Sequence, residues 1–138
     1  MILEIRPVPI EQEPKRENRF VVEFPEEFNI ESYTVQTCTR PKLINYEWQN
    51  FVITLIDVIC PSTSKAIKNM IDYCQENKNE EILFEFKIKS LDPVGVDVQT
   101  WTISVKELVE VDFGHCDYDN GDISMIKVIL KPKFCVLS

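Results

Sequence analysis

Several things are scarce in this chain, and each scarcity removes a class of function. Glycine occurs three times in 138 residues. No glycine-rich loop is present that could cradle a phosphate. Histidine occurs once, as His115 in an acidic loop. No serine or cysteine can be tied to it with a third orienting group, so a nucleophilic triad has no support. The five cysteines, Cys38, Cys60, Cys74, Cys116 and Cys135, contain no Cys-x-x-Cys pair and are odd in number. That argues against both a zinc site and a disulfide scaffold, and favours reduced, mostly buried thiols in a cytosol-like compartment. Long apolar runs are missing too: residues 51–53 and 55–56 are far too short to span a bilayer. The opening Met1-Ile2-Leu3-Glu4-Ile5-Arg6 lacks the basic start and apolar stretch of a signal peptide.

Positive charge is in deficit. Fifteen Lys and Arg face 23 Asp and Glu, a net charge of −8 and a pI near 4.7. Such a surface repels polyphosphate and anionic headgroups, so tight binding of nucleic acid or membrane is disfavoured. A surface that DNA slides past without sticking is still permitted. What remains is ordinary for one globular domain, with 44% apolar and 28% charged residues.

Residues 1–17 differ from the rest. Pro7, Pro9 and Pro14 forbid a regular ladder, and Glu11, Glu13, Lys15, Arg16 and Glu17 keep the segment wet. They read as an extended arm, either a frayed terminus or an arm that packs on a neighbouring subunit. Residues 18–138 then form the folded domain. Residues 19–24 and 30–39 read as strands, the first stopped by Pro25. Residues 40–47, with Pro41 and Asn45, read as a loop, and residues 48–59 as a long strand covered on both faces.

The period changes at Pro61-Ser62-Thr63-Ser64, a helix-start signal. Ile67, Met70, Ile71 and Cys74 follow at helical spacing, and Asn77-Lys78-Asn79 ends the segment. Strands resume at 81–89, where Ile82, Phe84, Phe86 and Ile88 alternate with charged residues. Asp92-Pro93-Val94-Gly95 reads as a turn. Residues 96–113 place Trp101, Ile103 and Val105 on one face and Thr100, Thr102 and Ser104 on the other, with a bulge near Leu108. The last strand puts Ile126, Val128, Leu130 and Phe134 on one face. The fold class expected is mostly β: an antiparallel β-barrel or sandwich of about six strands with one α-helix.

Three short motifs invite chemistry and fail on context. Asp112-Phe113-Gly114 spells a kinase magnesium motif without its phosphate loop or catalytic loop. The loop Asp117-Tyr118-Asp119-Asn120-Gly121-Asp122 has Asp122 and Val128 where an EF-hand needs Gly and Glu, so it reads as a solvated turn. The terminal Cys135-Val136-Leu137-Ser138 fits a prenylation pattern, but Lys127, Lys131 and Lys133 alternate with core residues as in a strand. No catalytic, cofactor-binding or metal site is therefore assigned, and an enzyme is not expected.

The ordered set of motifs resembles the tail tube proteins of contractile-tailed bacteriophages. Asn18-Arg19-Phe20-Val21-Val22-Glu23-Phe24 opens it. Trp48-Gln49-Asn50 then leads the long strand into Asp57 and Pro61-Ser62-Thr63-Ser64. Leu91-Asp92-Pro93-Val94-Gly95-Val96 precedes Trp101, and Val111-Asp112-Phe113-Gly114 precedes Asp117-Tyr118. The resemblance spans residues 18–137 and implies a phage tail tube-like fold, shared with the tube protein of type VI secretion systems and with siphophage tail tubes. It implies a virion protein whose hexameric rings stack into an inner tube, with a helix outside the barrel. It further implies assembly in the host cytoplasm and passage of DNA through the lumen without specific binding. Sheath, baseplate and tail terminator proteins would be the partners, with no membrane and no cofactor. The loop 40–47 is shorter than the stacking loop of some tube proteins, and the proline-rich arm has no counterpart.

Thr100, Thr102, Ser104 and Lys106 are the candidate lumen-lining residues; they suit a bore or an exposed outer face equally. Arg40, Lys42, Asn45, Asp117 and Asp119 are candidates for contacts between rings or subunits. The rival readings are a secretion-system tube subunit and a monomeric β-barrel that binds a ligand or peptide.

Overall fold

A computed structural model describes residues 14–138. Most of the arm expected over residues 1–17 thus lies outside the described residues, and residues 14–17 are exposed. The strands are β1 (Phe20–Glu23), β2 (Val35–Cys38), β3 (Leu43–Ile44), β4 (Glu47–Trp48) and β5 (Phe51–Ile56). After the helix α1 (Thr63–Glu76) come β6 (Phe84–Leu91), β7 (Asp97–Asp112) and β8 (Met125–Leu137). Six strands form one antiparallel sheet in the order β1-β6-β7-β8-β5-β2, rolled until its two edges nearly meet. The expected class, a mostly β barrel with one helix, is what the chain builds.

The interior follows from period-2 alternation. Phe51, Ile53 and Leu55 of β5, Phe84, Phe86 and Ile88 of β6, and Ile126, Val128 and Leu130 of β8 are all buried. Phe86 stacks on Phe24 at 5.5 Å and meets Phe51 edge-on at 5.6 Å. The Ser62 hydroxyl caps α1 by accepting from the Lys65 amide at 3.2 Å. Ala66, Ile67, Met70 and Cys74 then enter the same core as the strands.

Five expectations need correcting. Residues 30–39 are not all strand: Ser32–Thr34 is a 3-10 turn, because the Thr34 hydroxyl and amide both donate to the Glu31 carbonyl, at 2.6 and 3.0 Å. Residues 40–47 are not a plain loop but open a hairpin, β3 against β4. Asn45 and Tyr46 both take positive φ, 52° and 64°, in its two-residue turn. The strand expected over residues 48–59 narrows to Phe51–Ile56, since Asp57 and Val58 bind the start of α1 through Ser64 and Thr63. Its second face, Val52, Thr54 and Ile56, is only half-buried, because α1 covers the core and not the outer side.

The fifth correction is Phe134, expected beside Leu130. The bulge expected near Leu108 is present, but the β7–β8 register also slips between Ser104 and Val105. Phe134 therefore sits opposite Ser104 on the outer face and is 39% exposed, while Pro132 takes the inward place. At the other end of β7, Asp92 accepts from the amides of Val94 and Val96, and Gly95 supplies φ 88°.

Phe86 is fully buried between two rings, so Phe86→Ala should destabilise the fold by about 3–5 kcal/mol in urea denaturation. An unchanged midpoint would place this ring outside the core.

Candidate assembly surface

The sheet does not seal itself. Among the described residues β1 pairs only with β6 and β2 only with β5, so each leaves one edge without ladder partners. Both are four residues long, short enough to limit uncontrolled pairing. Between them runs a seam. At the Phe20 and Cys38 end it opens into a cleft of about 700 Å³, walled by residues 15–20, Gln36, Thr37, Cys38 and Arg40, with Ile88 and Ser90. At the Glu23 end lies a smaller hollow of about 430 Å³, lined by Glu23, Glu26, Glu31, Phe24, Asn29, Ile30 and Ser32.

The two ends of the seam differ in charge. Lys15, Arg16, Arg19 and Arg40 surround the larger cleft, against one carboxylate, Glu17, among the described residues. Three glutamates and no described cation line the smaller one. In a chain of net charge −8, four cations around one cleft are a local inversion of sign.

The candidate contact residues divide between the same two ends. β5 runs from Phe51, opposite Leu130, to Ile56, opposite Met125. Arg40, Lys42 and Asn45 lie before Phe51, at the basic end. Asp117 and Asp119 lie in the β7–β8 loop before Met125, at the acidic end, and are exposed. That loop is stiffened by its own side chains: the carboxylates of Asp112 and Asp117 and the amide oxygen of Asn120 accept backbone amides two residues on, at 2.8–3.0 Å.

The candidate lumen row is partly assembled. Thr100 stands opposite Lys89, Thr102 opposite Lys87 and Val136, and Ser104 opposite Glu85 and Phe134. Ser104 is 1% exposed and donates to Glu85 at 3.3 Å. Lys106 falls in the register slip between Val105 and Glu107 and is not in line with the other three. Of the two lysines beside the row, Lys89 contacts Glu23 at 2.9 Å and Asp97 at 3.4 Å, and Lys87 is exposed; farther along β8, Lys127 contacts Glu110 at 3.8 Å. The hydrogen bond from Lys89 to Glu23 raises the lysine pKa above its ordinary value.

Two features escaped sequence reasoning. The first is the hairpin β3–β4, whose Trp48 packs edge-on against Trp101 at 6.0 Å; tyrosine in a left-handed turn gave no signal for it. The second is a pair of buried polar atoms, Gln99 Oε1 and Trp101 Nε1, that have no hydrogen-bond partner among the described residues. Their register neighbours Ser90 and Ile88 form one wall of the basic cleft.

The terminal cysteine motif is not a free tail. Cys135 lies in β8 opposite Ile103, and the Ser138 amide donates to the Thr100 carbonyl at 2.9 Å. Burial pushes the Cys135 thiol up to about 11, Cys74 to about 11 and Cys38 to about 12, whereas Cys60 and Cys116 are exposed. Among the described residues no helix is long and apolar enough to cross a membrane.

The fold as a whole can be compared with known proteins. No family model matches the chain, and no curated protein matches it. Solved structures do. The chain is similar to the PVC sheath/tube terminator of an extracellular contractile injection system in its extended state, with a TM-score of 0.66 and 15% identity over 92% of this chain and 98% of that one. It is similar to the tube-terminating cap of the anti-feeding prophage, with a TM-score of 0.65 and 13% identity over 98% and 95%. It is similar also to a chain of the PVC sheath–tube complex, with a TM-score of 0.63 and 17% identity over 94% of each. At these identities the likeness is one of fold.

Two thiols should react with a disulfide reagent at pH 8 in the native protein, and all five after denaturation. Because burial raises the pKa of three thiols above the unfolded value of 9.0, the folded chain holds protons that the unfolded chain releases in alkali. Their contribution to stability is intact below pH 9 and should fall as pH rises towards 11–12. A rise in the urea midpoint across that window, after replacement of the other titrating neighbours, would contradict this.

Proposed function

We propose that this protein is a non-catalytic structural subunit of a contractile tail or injection particle. Its rings, hexameric in the phage tail reading, stack coaxially with the inner tube. The observation that carries the reading is the match of the whole fold, over 92–98% of both chains, to components of sheath–tube and tube-terminating assemblies. The seam supports it, since two sheet edges without ladder partners among the described residues would find them when copies stand side by side. The opposite charges at the two ends of the seam support head-to-tail stacking, in which Arg40 and Lys42 of one ring meet Asp117 and Asp119 of the next.

In the phage form of this reading the tube conducts DNA into the host. A net charge of −8 leaves little to hold a polyphosphate in transit. Thr100 and Thr102 offer short uncharged groups to a bore. Sheath, baseplate and terminator proteins are the further partners, and assembly takes place in the host cytoplasm before the particle leaves.

A second reading has its own support. Two of the solved structures that match are a sheath/tube terminator and a tube-terminating cap. As a terminator, the protein forms one ring that ends a tube and does not propagate.

Negative-stain electron microscopy of the purified protein tests both. Stacked rings that shorten as salt is raised are the expected result, because the end-to-end contacts are screened. Single rings that never stack favour the terminator. A strictly monomeric protein at every concentration, with tail assembly partners present, would overturn both.

A further inference from the structure

Exposed apolar surface is not spread evenly over this chain. Among the described residues, the large apolar side chains that stand in solvent lie at the two ends of the barrel, with only Val109 and Phe134 on its wall. We propose that the tip of the β3–β4 hairpin, with Tyr46 at its apex, seats in a second copy between Ile59, Tyr118 and Ile123 at the opposite end. This rests on the stacking reading and names the contact that joins one ring to the next.

The hairpin is strained in a way that the lone chain does not offset. Asn45 and Tyr46 both take positive φ, 52° and 64°, and the second place of such a turn usually holds glycine. A tyrosine there sets its Cβ against the backbone. Its ring is 95% exposed, so no packing within the chain compensates. Leu43 and Ile44 beside it are exposed as well. A bulky ring held in a disfavoured backbone state and turned to solvent is suited to anchor a partner.

The opposite end offers a matching seat. Ile59 is 94% exposed, and Tyr118 and Ile123 are exposed with it. The Asp57 amide donates to the Ser124 carbonyl at 3.0 Å, which draws the segment of Ile59 alongside that of Ile123. Asp112, Asp117 and Asn120 brace the loop between β7 and β8 through its own amides, so its apolar groups are held outward on a preformed frame.

Charge selects the hairpin over its neighbour at the same end. Residues 113–124 carry Asp117, Asp119 and Asp122 and no lysine or arginine. Exposed Arg40 and Lys42 lead into the hairpin, against Glu47 alone. The β6–β7 turn also exposes Val94 and Val96, but its charged residues are Asp92 and Asp97, which the acidic loop would repel. Tip and seat are different surfaces of one chain, so a second copy supplies the partner and the contact runs head-to-tail.

Tyr46→Gly in the full-length chain tests the anchor. Glycine relieves the backbone, so the urea midpoint should hold or rise. Rings should still form, but stacks seen by negative stain should shorten about threefold or more, whereas Tyr46→Phe should stack like the parent. Unchanged stack length in the glycine variant would overturn the proposal. Disulfide trapping locates the seat. One population keeps the native Cys60, next to Ile59, and carries Cys116→Ser. A second, tagged to differ in mass, carries Cys60→Ser, Cys116→Ser and Glu47→Cys, an exposed position next to Tyr46. The two are mixed, assembled and mildly oxidised. The expected product is a mixed dimer of the two masses, sensitive to reductant. Stacks without it would overturn the seat and leave the stacking reading standing. So would an equal yield when Val109→Cys, on the barrel wall, replaces Glu47→Cys. A parent protein that forms only single rings or monomers would overturn the seat and the stacking reading together.

Discussion

Among the described residues, an antiparallel sheet curls without closing and leaves two edges without ladder partners, and the rest of the described structure is arranged around that seam. Among the described residues β1 and β2 approach one another without a ladder between them. Both edge strands are four residues long, short enough to limit uncontrolled pairing. The rest of the molecule is rigid enough to hold those edges in place. Phe86, clamped between Phe24 and Phe51, and the stripe of α1 fix the curvature of the sheet from inside.

Charge then distinguishes the two ends of the seam. The chain is acidic as a whole, yet four cations gather where the seam opens and three glutamates where it narrows. The fold is shared with chains of solved sheath–tube and tube-terminating structures.

Much of this was legible in the residues, for physical reasons. The helix announced itself through Ser62 and the spacing of Ile67, Met70 and Cys74, all of which the structure places at the cap or in the core. The alternation of Phe84, Phe86 and Ile88 matches the inner face of β6, but the strand expected over residues 81–89 begins only at Phe84, so Ile82 lies before it and is half-buried while Leu83 is buried. Phase was lost where the backbone slips. A bulge at Ser104 turned Phe134 outward, because one extra residue reverses every side chain beyond it. The hairpin at Asn45 and Tyr46 was hidden because tyrosine seldom adopts positive φ. The assembly surface was the least legible part. Arg40 and Asp117 were singled out by residue type, but their separation to opposite ends, and the gathering of Arg40 with Lys15 and Arg16, depend on strand order. No local pattern encodes that.

Backbone hydrogen exchange on the free and the assembled protein addresses the seam most directly. Amides of Phe20–Glu23 and Val35–Cys38 should exchange fast in the isolated chain and become protected on assembly, while those at the centre of β7 and β8 stay protected in both. Full protection of β1 and β2 in a lone molecule would contradict the open seam, because the chain would then seal its own margins and need no neighbour to finish its sheet.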